Sequence, residues 1–216
     1  MIIAVLANGA WDSEWGKQAL EKADYLICAD GGANHALSLG FMPDRLIGDL
    51  DSILPEYLLQ CQEADCLIER YPREKDETDL ELALLQAQKK AMLEGERDIW
   101  LYGGTGKRID HFLGNLSLML AYAHQGYRIR LADPWHEMWV FHGNEKIRTF
   151  QGQELSLIAL SEKAVVSTRG LYYPLDHGVL RQDIPRGVSN VCLGEEVGIE
   201  VHEGWVLLIL LKDGRV

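Results

Sequence analysis

Short apolar runs alternate with amphipathic stretches along the first 130 residues, and this rhythm stops near Asp133. Runs at Ile2–Ala7, Tyr25–Ala29, Arg45–Gly48, Cys66–Glu69, Asp98–Tyr102 and Arg128–Ala132 predict strands. Between them lie stretches of helical spacing. The clearest is Glu77–Leu93, where Leu80, Leu84, Ala87 and Ala91 fall on one stripe. Strands separated by helices in this way imply βαβ units and a doubly wound, mostly parallel sheet.

Beyond Asp133 only strand-like runs follow: Met138–Phe141, Lys146–Phe150, Leu155–Leu160, Ala164–Ser167, Asn190–Leu193, Val197–His202 and Val206–Leu211. HGN, EGW and KDG segments read as turns between them, and no helical period of useful length appears. That pattern predicts an antiparallel sandwich or barrel. Two domains are expected: an α/β domain over 1–133 and an all-β domain over 134–216.

At 47% hydrophobic and 25% charged, the chain has the composition of a packed globular protein. Its net charge of −12 argues against a nucleic-acid surface, which needs clustered Lys and Arg. Cys28, Cys61, Cys66 and Cys192 form no CxxC pair and have no His at zinc spacing, so they read as structural thiols of a reducing compartment. The start MIIAVLANGAWDSE has no basic leader and turns polar by Asn8, so it reads as a first strand. The longest apolar run, Trp205–Leu211, is too short to span a bilayer. A cytoplasmic protein with no membrane partner is expected.

In a doubly wound sheet, ligands bind beyond the carboxyl ends of the strands. After the second strand comes Asp30-Gly31-Gly32-Ala33-Asn34, which reads as a tight turn into a helix, able to approach an anion or serving as an ordinary connection. After the third comes Gly48-Asp49-Leu50-Asp51-Ser52. In an extended segment, Asp49 and Asp51 point the same way, and such a pair suits Mg²⁺; Asp51 or Ser52 as a helix cap is the plainer reading. Lys75-Asp76-Glu77-Thr78-Asp79 puts Asp76 and Asp79 on one face at a helix start, where the dipole favours acids in any case. The fifth strand leads into Gly103-Gly104-Thr105-Gly106-Lys107-Arg108-Ile109-Asp110-His111. That loop is not a Walker A sequence, since Leu101 stands at its first glycine and Arg108 at its Ser/Thr; it has the parts of a phosphate cradle all the same.

Together these loops put Asp49, Asp51, Asp76, Asp79 and Asp110 with Lys107 and Arg108 at one sheet edge. Carboxylates that hold Mg²⁺ and cations that meet transferring phosphates are what phosphoryl or pyrophosphoryl transfer requires. The residues by themselves reach a Mg²⁺-nucleotide enzyme and no further. An Mg²⁺-dependent phosphohydrolase and a non-catalytic nucleotide sensor stand as rivals.

ADGGAN at 29–34, GDLDS at 48–52, KDETDLELAL at 75–84 and GGTGKRIDH at 103–111 resemble the thiamine pyrophosphokinase family in kind and order. GLYYPL at 170–175 and GVSN at 187–190 extend the resemblance over nearly the whole chain. It implies a Rossmann-like N-terminal domain, a C-terminal β-sandwich that binds thiamine and dimerises, and transfer of the diphosphate of ATP to thiamine. By that resemblance Asp49, Asp51, Asp79 and Asp110 would surround Mg²⁺. Asp110 would assist that metal site or accept the hydroxyl proton, Arg108 would grip the transferring phosphates and Asp79 would join them in catalysis. Asp30, Gly31, Gly32, Asn34, Thr105, Gly106, Lys107 and Arg108 would shape the ATP site, and Ser189 and Asn190 would contact thiamine. The active site would then lie between domains in a homodimer. Trp205, where an aliphatic residue is expected, reads as a packing tryptophan rather than a thiamine platform.

Overall fold

The computed structural model describes residues 1–212, and the chain divides into two compact units. Unit 1 comprises Met1–Leu118 and Gln125–Asp133; unit 2 comprises Met119–His124 and the chain from Pro134 on.

Unit 1 runs β1 (Ile3–Leu6), α1 (Ser13–Leu20), β2 (Tyr25–Ala29), α2 (Gly32–Ser38), β3 (Arg45–Gly48), α3 (Pro55–Glu63), β4 (Leu67–Arg70), α4 (Asp79–Glu94), β5 (Asp98–Tyr102), the first part of α5 (Ile109–His124) and β6 (Arg128–Ala132). The strands pair in parallel in the order β6-β5-β1-β2-β3-β4. All four residues of β1 are buried, as a strand covered on both faces must be. Side chains alternate across the sheet. Ala4, Leu6, Leu26, Cys28 and Leu46 pack with Ala19, Leu20, Ala33, Ala36 and Cys61 of α1–α3. The opposite parity faces α4, which packs along β1, β2 and β3 through Leu80, Ala83, Leu84, Ala87 and Ala91. The helix starts have local causes. Asp12 caps α1 by accepting the Trp15 N–H at 2.8 Å, Pro55 opens α3, and Thr78 caps α4.

Because Thr78 is the cap, α4 begins at Asp79. Asp76 therefore lies exposed before the helix and shares no helical face with Asp79, contrary to the spacing argument.

Unit 2 is antiparallel: β7 (His136–Arg148), β8 (Glu154–Ala159), β9 (Lys163–Arg169), β10 (Gly178–Arg181), β11 (Asn190–Val191) and β12 (Glu196–Leu211). HGN and EGW are not turns between strands. Each lies inside one long strand, where Gly143 (φ 85) and Gly204 (φ 80) absorb a bulge. Four residues of β12, His202–Trp205, stand opposite the single His142 of β7. This break divides β12, whose first half pairs with β9 and second half with β8. Both halves thereby close over one core that includes Phe141, Leu155, Leu157, Val166, Leu180, Val197, Ile199 and Leu208. A side chain at 204 would meet the Lys163 carbonyl at 2.4 Å, so glycine is required there twice over. The short β10 was not anticipated from the sequence. The KDG segment extends past Lys212, outside the described residues.

Candidate functional site

The sheet order of unit 1 reverses at β1, which has β2 on one side and β5 on the other. The loops after β1 and β5 meet there backbone to backbone. The Ala10 N–H donates to the Thr105 carbonyl at 2.7 Å. A Cβ on Gly9 would lie 2.1 Å from the Gly103 oxygen and 2.2 Å from that of Thr105. Gly32 is squeezed in the same way against the Leu6 oxygen, at 2.1 Å. Gly32 thus lets α2 approach β1, and Gly31 makes room for the Asn8 side chain, which a Cβ there would meet at 2.3 Å; the turn itself is supplied by Asp30, which takes the left-handed backbone at φ 43.

The next loop is also left-handed, with Gly48 at φ 147 and Leu50 at φ 64. A leucine in this region is strained and persists only where its surroundings over-determine it. Here Leu50 is buried with Leu46, Ile53 and Cys61, and Asn34 staples the loop from outside. The Asn34 amide donates to the Ser52 carbonyl at 2.9 Å and its oxygen accepts the Leu54 N–H at 2.9 Å. Asp30 accepts the Ser52 N–H at 3.2 Å, and Asp49 accepts that of Asp51 at 3.2 Å. The two aspartates converge as expected, but through a left-handed turn and not an extended segment.

The result is an acidic cluster in which carboxylate oxygens of Asp30, Asp49 and Asp51 lie within 4.8 Å of one another. Asp79 stands beside it, since a Cβ on Gly48 would come within 3.1 Å of the Asp79 Cγ and 3.0 Å of the Asp30 Cβ. Lys75 holds Asp79 in an ion pair at 2.9 Å. Burial pushes the Asp30 carboxyl above its ordinary pKa; hydrogen bonds from Ser52 pull the other way, and the Asp79 charge adds a smaller upward push. An all-oxygen donor set of this charge fits a hard cation such as Mg²⁺.

The glycine-rich loop is fixed from behind, where the Asn115 amide donates to the Gly104 carbonyl at 2.8 Å and the Thr105 hydroxyl to Asp133 at 3.2 Å. Gly106 (φ 150) and exposed Lys107 and Arg108 follow. Arg108 grips Asp110 with two hydrogen bonds, 2.9 Å from Nε and 2.6 Å from Nη2. This fork holds the Asp110 carboxyl well below the usual carboxylate range. Among the described residues, Asp110 is not one of the carboxylates gathered with Asp30.

In unit 2, Asn190 ties GVSN to GLYYPL: its amide donates to the Tyr173 carbonyl at 2.8 Å and its oxygen accepts the Tyr173 N–H at 3.0 Å. Ser189 is exposed at φ 58, with its N–H on the Ser156 hydroxyl at 3.0 Å. Tyr172 and Tyr173 stand exposed beside them, edge to face at 4.9 Å. Trp205 packs between His124 (4.6 Å) and His142 (5.6 Å) within the same unit. Sequence reasoning missed Asn8-Gly9, Asn115 and the place of Asp30 among the acids. The run Ala7-Asn8-Gly9 after the first strand was the available signal for the first of these.

A parallel α/β unit whose strand ends carry an acidic cluster and glycine-walled loops, joined to an antiparallel β unit, defines the class: a two-unit α/β–β protein equipped at its open-sheet edge. The family model for the thiamin pyrophosphokinase catalytic domain matches residues 16–131, and that for the thiamin pyrophosphokinase vitamin B1 binding domain matches residues 144–206. The chain is 34% identical over 191 residues to thiamine pyrophosphokinase of Bacillus subtilis (strain 168), covering 87% of each. A solved thiamine pyrophosphokinase structure from Bacillus subtilis superposes with a TM-score of 0.85 at 26% identity, over 99% of this chain and all of that one. The enzyme of Candida albicans shares the fold alone, with a TM-score of 0.86 at 15% identity, over 98% of this chain and 88% of that one. The chain belongs to the thiamin pyrophosphokinase family.

Proposed function

We propose that unit 1 binds ATP with Mg²⁺ and that unit 2 binds thiamine. The protein is an enzyme that transfers the diphosphate of ATP to the hydroxyl of thiamine, releasing AMP. The observation that carries the assignment of the site is the convergence of Asp30, Asp49 and Asp51, with Asp79 beside them, at the edge where glycine-walled loops meet. Asp49, Asp51 and Asp79 would hold Mg²⁺, which when bound supplies positive charge to the phosphate oxygens. Thr105, Gly106 and Lys107 would line the phosphates, with Asp30, Gly31, Gly32 and Asn34 shaping the floor of the site. Asp30 and Asn34 do so chiefly by holding the 48–54 loop in its left-handed turn.

The thiamine oxygen attacks the β-phosphorus, the bond from that phosphorus to the oxygen shared with the α-phosphate breaks, and the hydroxyl proton leaves. Asp110 is a weak base while Arg108 grips it. Arg108 turning to the transferring phosphates would free that carboxylate to take the proton, coupling phosphate binding to base activation. Ser189 and Asn190, with Tyr172 and Tyr173 beside them, would contact thiamine. A second copy of the chain would cover exposed Tyr172, Tyr173, Val188 and Leu193 of unit 2, making a homodimer. The four free cysteines suit a cytoplasmic enzyme. Titrating Mg²⁺ into assays of Asp49→Asn and Asp51→Asn tests the site: each raises the half-saturating Mg²⁺ by about tenfold or more. An unchanged Mg²⁺ requirement in both would remove these residues from the metal site.

A further inference from the structure

We propose that Lys75 is an internal counter-cation that competes with Mg²⁺ for Asp79, a role that rests on the place given to Asp79 in the Mg²⁺ site above. The acidic site then takes up the ion poorly by itself and better together with a nucleotide. Lys75 lies in the connection between β4 and α4, whose start is tied to the end of β3 by the Tyr71 N–H, which donates to the Gly48 carbonyl at 2.9 Å. The Lys75 ammonium donates to the Pro72 carbonyl at 3.1 Å and pairs with Asp79 Oδ1 at 2.9 Å. The pair has the spacing of a helical i, i+4 contact, yet α4 begins only at Asp79, so the connection itself folds Lys75 back onto the helix start. A cation ahead of a helix N-terminus opposes the macrodipole. The carboxylates around it supply the attraction that overcomes this.

Burial gives the pair its weight. The side chains of Lys75 and Asp79 are 11% and 25% exposed. Arg73 also reaches Asp51, at 3.8 Å, but it is 83% exposed and water screens it. Asp79 Oδ1 is buried, and a Cβ on Gly48 would lie 3.2 Å from it, so Lys75 is the cationic partner of an oxygen that water does not reach. Among the described residues, the carboxylate oxygens gathered within 4.8 Å of one another belong to Asp30, Asp49 and Asp51, with Asp79 beside the group and not in it. Lys75 thus holds one carboxylate back from the other three. Mg²⁺ binds more readily through one or two carboxylates and substrate phosphates than in an all-protein cage. By retaining Asp79, Lys75 keeps the cluster from becoming such a cage. Its charge also repels a bare divalent ion on the same carboxylate, which even at the dielectric of water costs about tenfold in affinity. Nucleotide phosphates attract the same ammonium and offset that repulsion.

Titrating Mg²⁺ into the EDTA-treated full chain without nucleotide or thiamine, and reading the rise in melting temperature, tests the proposal. Lys75→Met should lower the melting temperature in EDTA and reduce the half-stabilising Mg²⁺ concentration by about tenfold. Lys75→Gln, which can still donate to Asp79, is the second neutral variant and should shift that concentration the same way; Lys75→Arg keeps the charge and should stay near the unmodified protein. In steady-state kinetics Lys75→Met should raise KM for Mg·ATP, opposite in sign to its effect on the bare ion, whereas a purely structural role would weaken both. Asp79→Asn should raise the half-stabilising Mg²⁺ about tenfold. If it does, and the neutral Lys75 variants leave the value unchanged or raise it, the competition is overturned while the metal site stands. No response to Mg²⁺ in the unmodified protein, or none to Asp79→Asn, would overturn the metal site and the role of Lys75 with it.

Discussion

Gly9→Ala is the substitution that most strains the contact between the loops after β1 and β5. The new Cβ would lie 2.1 Å and 2.2 Å from two carbonyl oxygens, both backbone, so no side-chain rotation relieves it. Ordinary carbon–oxygen contacts are about 3.3–3.6 Å, so the loops must part by about 1 Å. That movement would stretch or break the Ala10–Thr105 hydrogen bond, now 2.7 Å. Overpacking of this kind costs about 1–3 kcal/mol, which at a urea slope of about 2 kcal/mol/M lowers the unfolding midpoint by about 0.5–1.5 M. Displacing the glycine-rich loop by about 1 Å should cost about 100-fold in kcat/KM. Gly114→Ala is the matched control: nothing lies within 4 Å of its Cβ, and it should stabilise α5 by up to about 1 kcal/mol. Equilibrium urea unfolding and steady-state kinetics read both effects. A Gly9→Ala protein with unchanged midpoint and unchanged kcat/KM would refute the argument that these loops are held by backbone contact.

Leu50→Ala keeps the left-handed φ but loses its anchor in the core, so it should destabilise by about 2–5 kcal/mol and raise the Mg²⁺ requirement; urea unfolding and Mg²⁺ titration check the two parts. Asp30 has a folded pKa above its unfolded value, so its contribution to stability is full below pH about 3.9 and is lost as pH rises through the folded value. Asp30→Asn should therefore flatten the metal-free stability profile just above that pH, as thermal melts across the range would show. Asp110→Asn should leave the melting temperature unchanged, because its pair with Arg108 is exposed, while lowering kcat by about 10²–10⁴.

The strand–helix rhythm of unit 1 was legible because buried parallel strands and the amphipathic α4 impose their periods on the sequence. The long strands of unit 2 were not, since Gly143 and Gly204 look like turn residues whether they end a strand or bend one. Asp49 and Asp51 could be paired from their spacing, yet the left-handed Leu50 that brings them together depends on burial supplied by distant residues. From its sequence position Asp30 reads with the nucleotide site and not with the acids, because its neighbours in space, Gly48 and Ser52, are far from it in sequence. Asn115 acts on a carbonyl eleven residues away across the start of a helix, which periodicity does not reveal.

The central claim is diphosphate transfer, and product analysis tests it most directly. Purified protein given Mg·ATP with and without thiamine should form AMP and thiamine diphosphate in equal amounts, only when thiamine is present, and neither after EDTA or in Asp79→Asn. ADP with thiamine monophosphate, or phosphate released without thiamine, would contradict it.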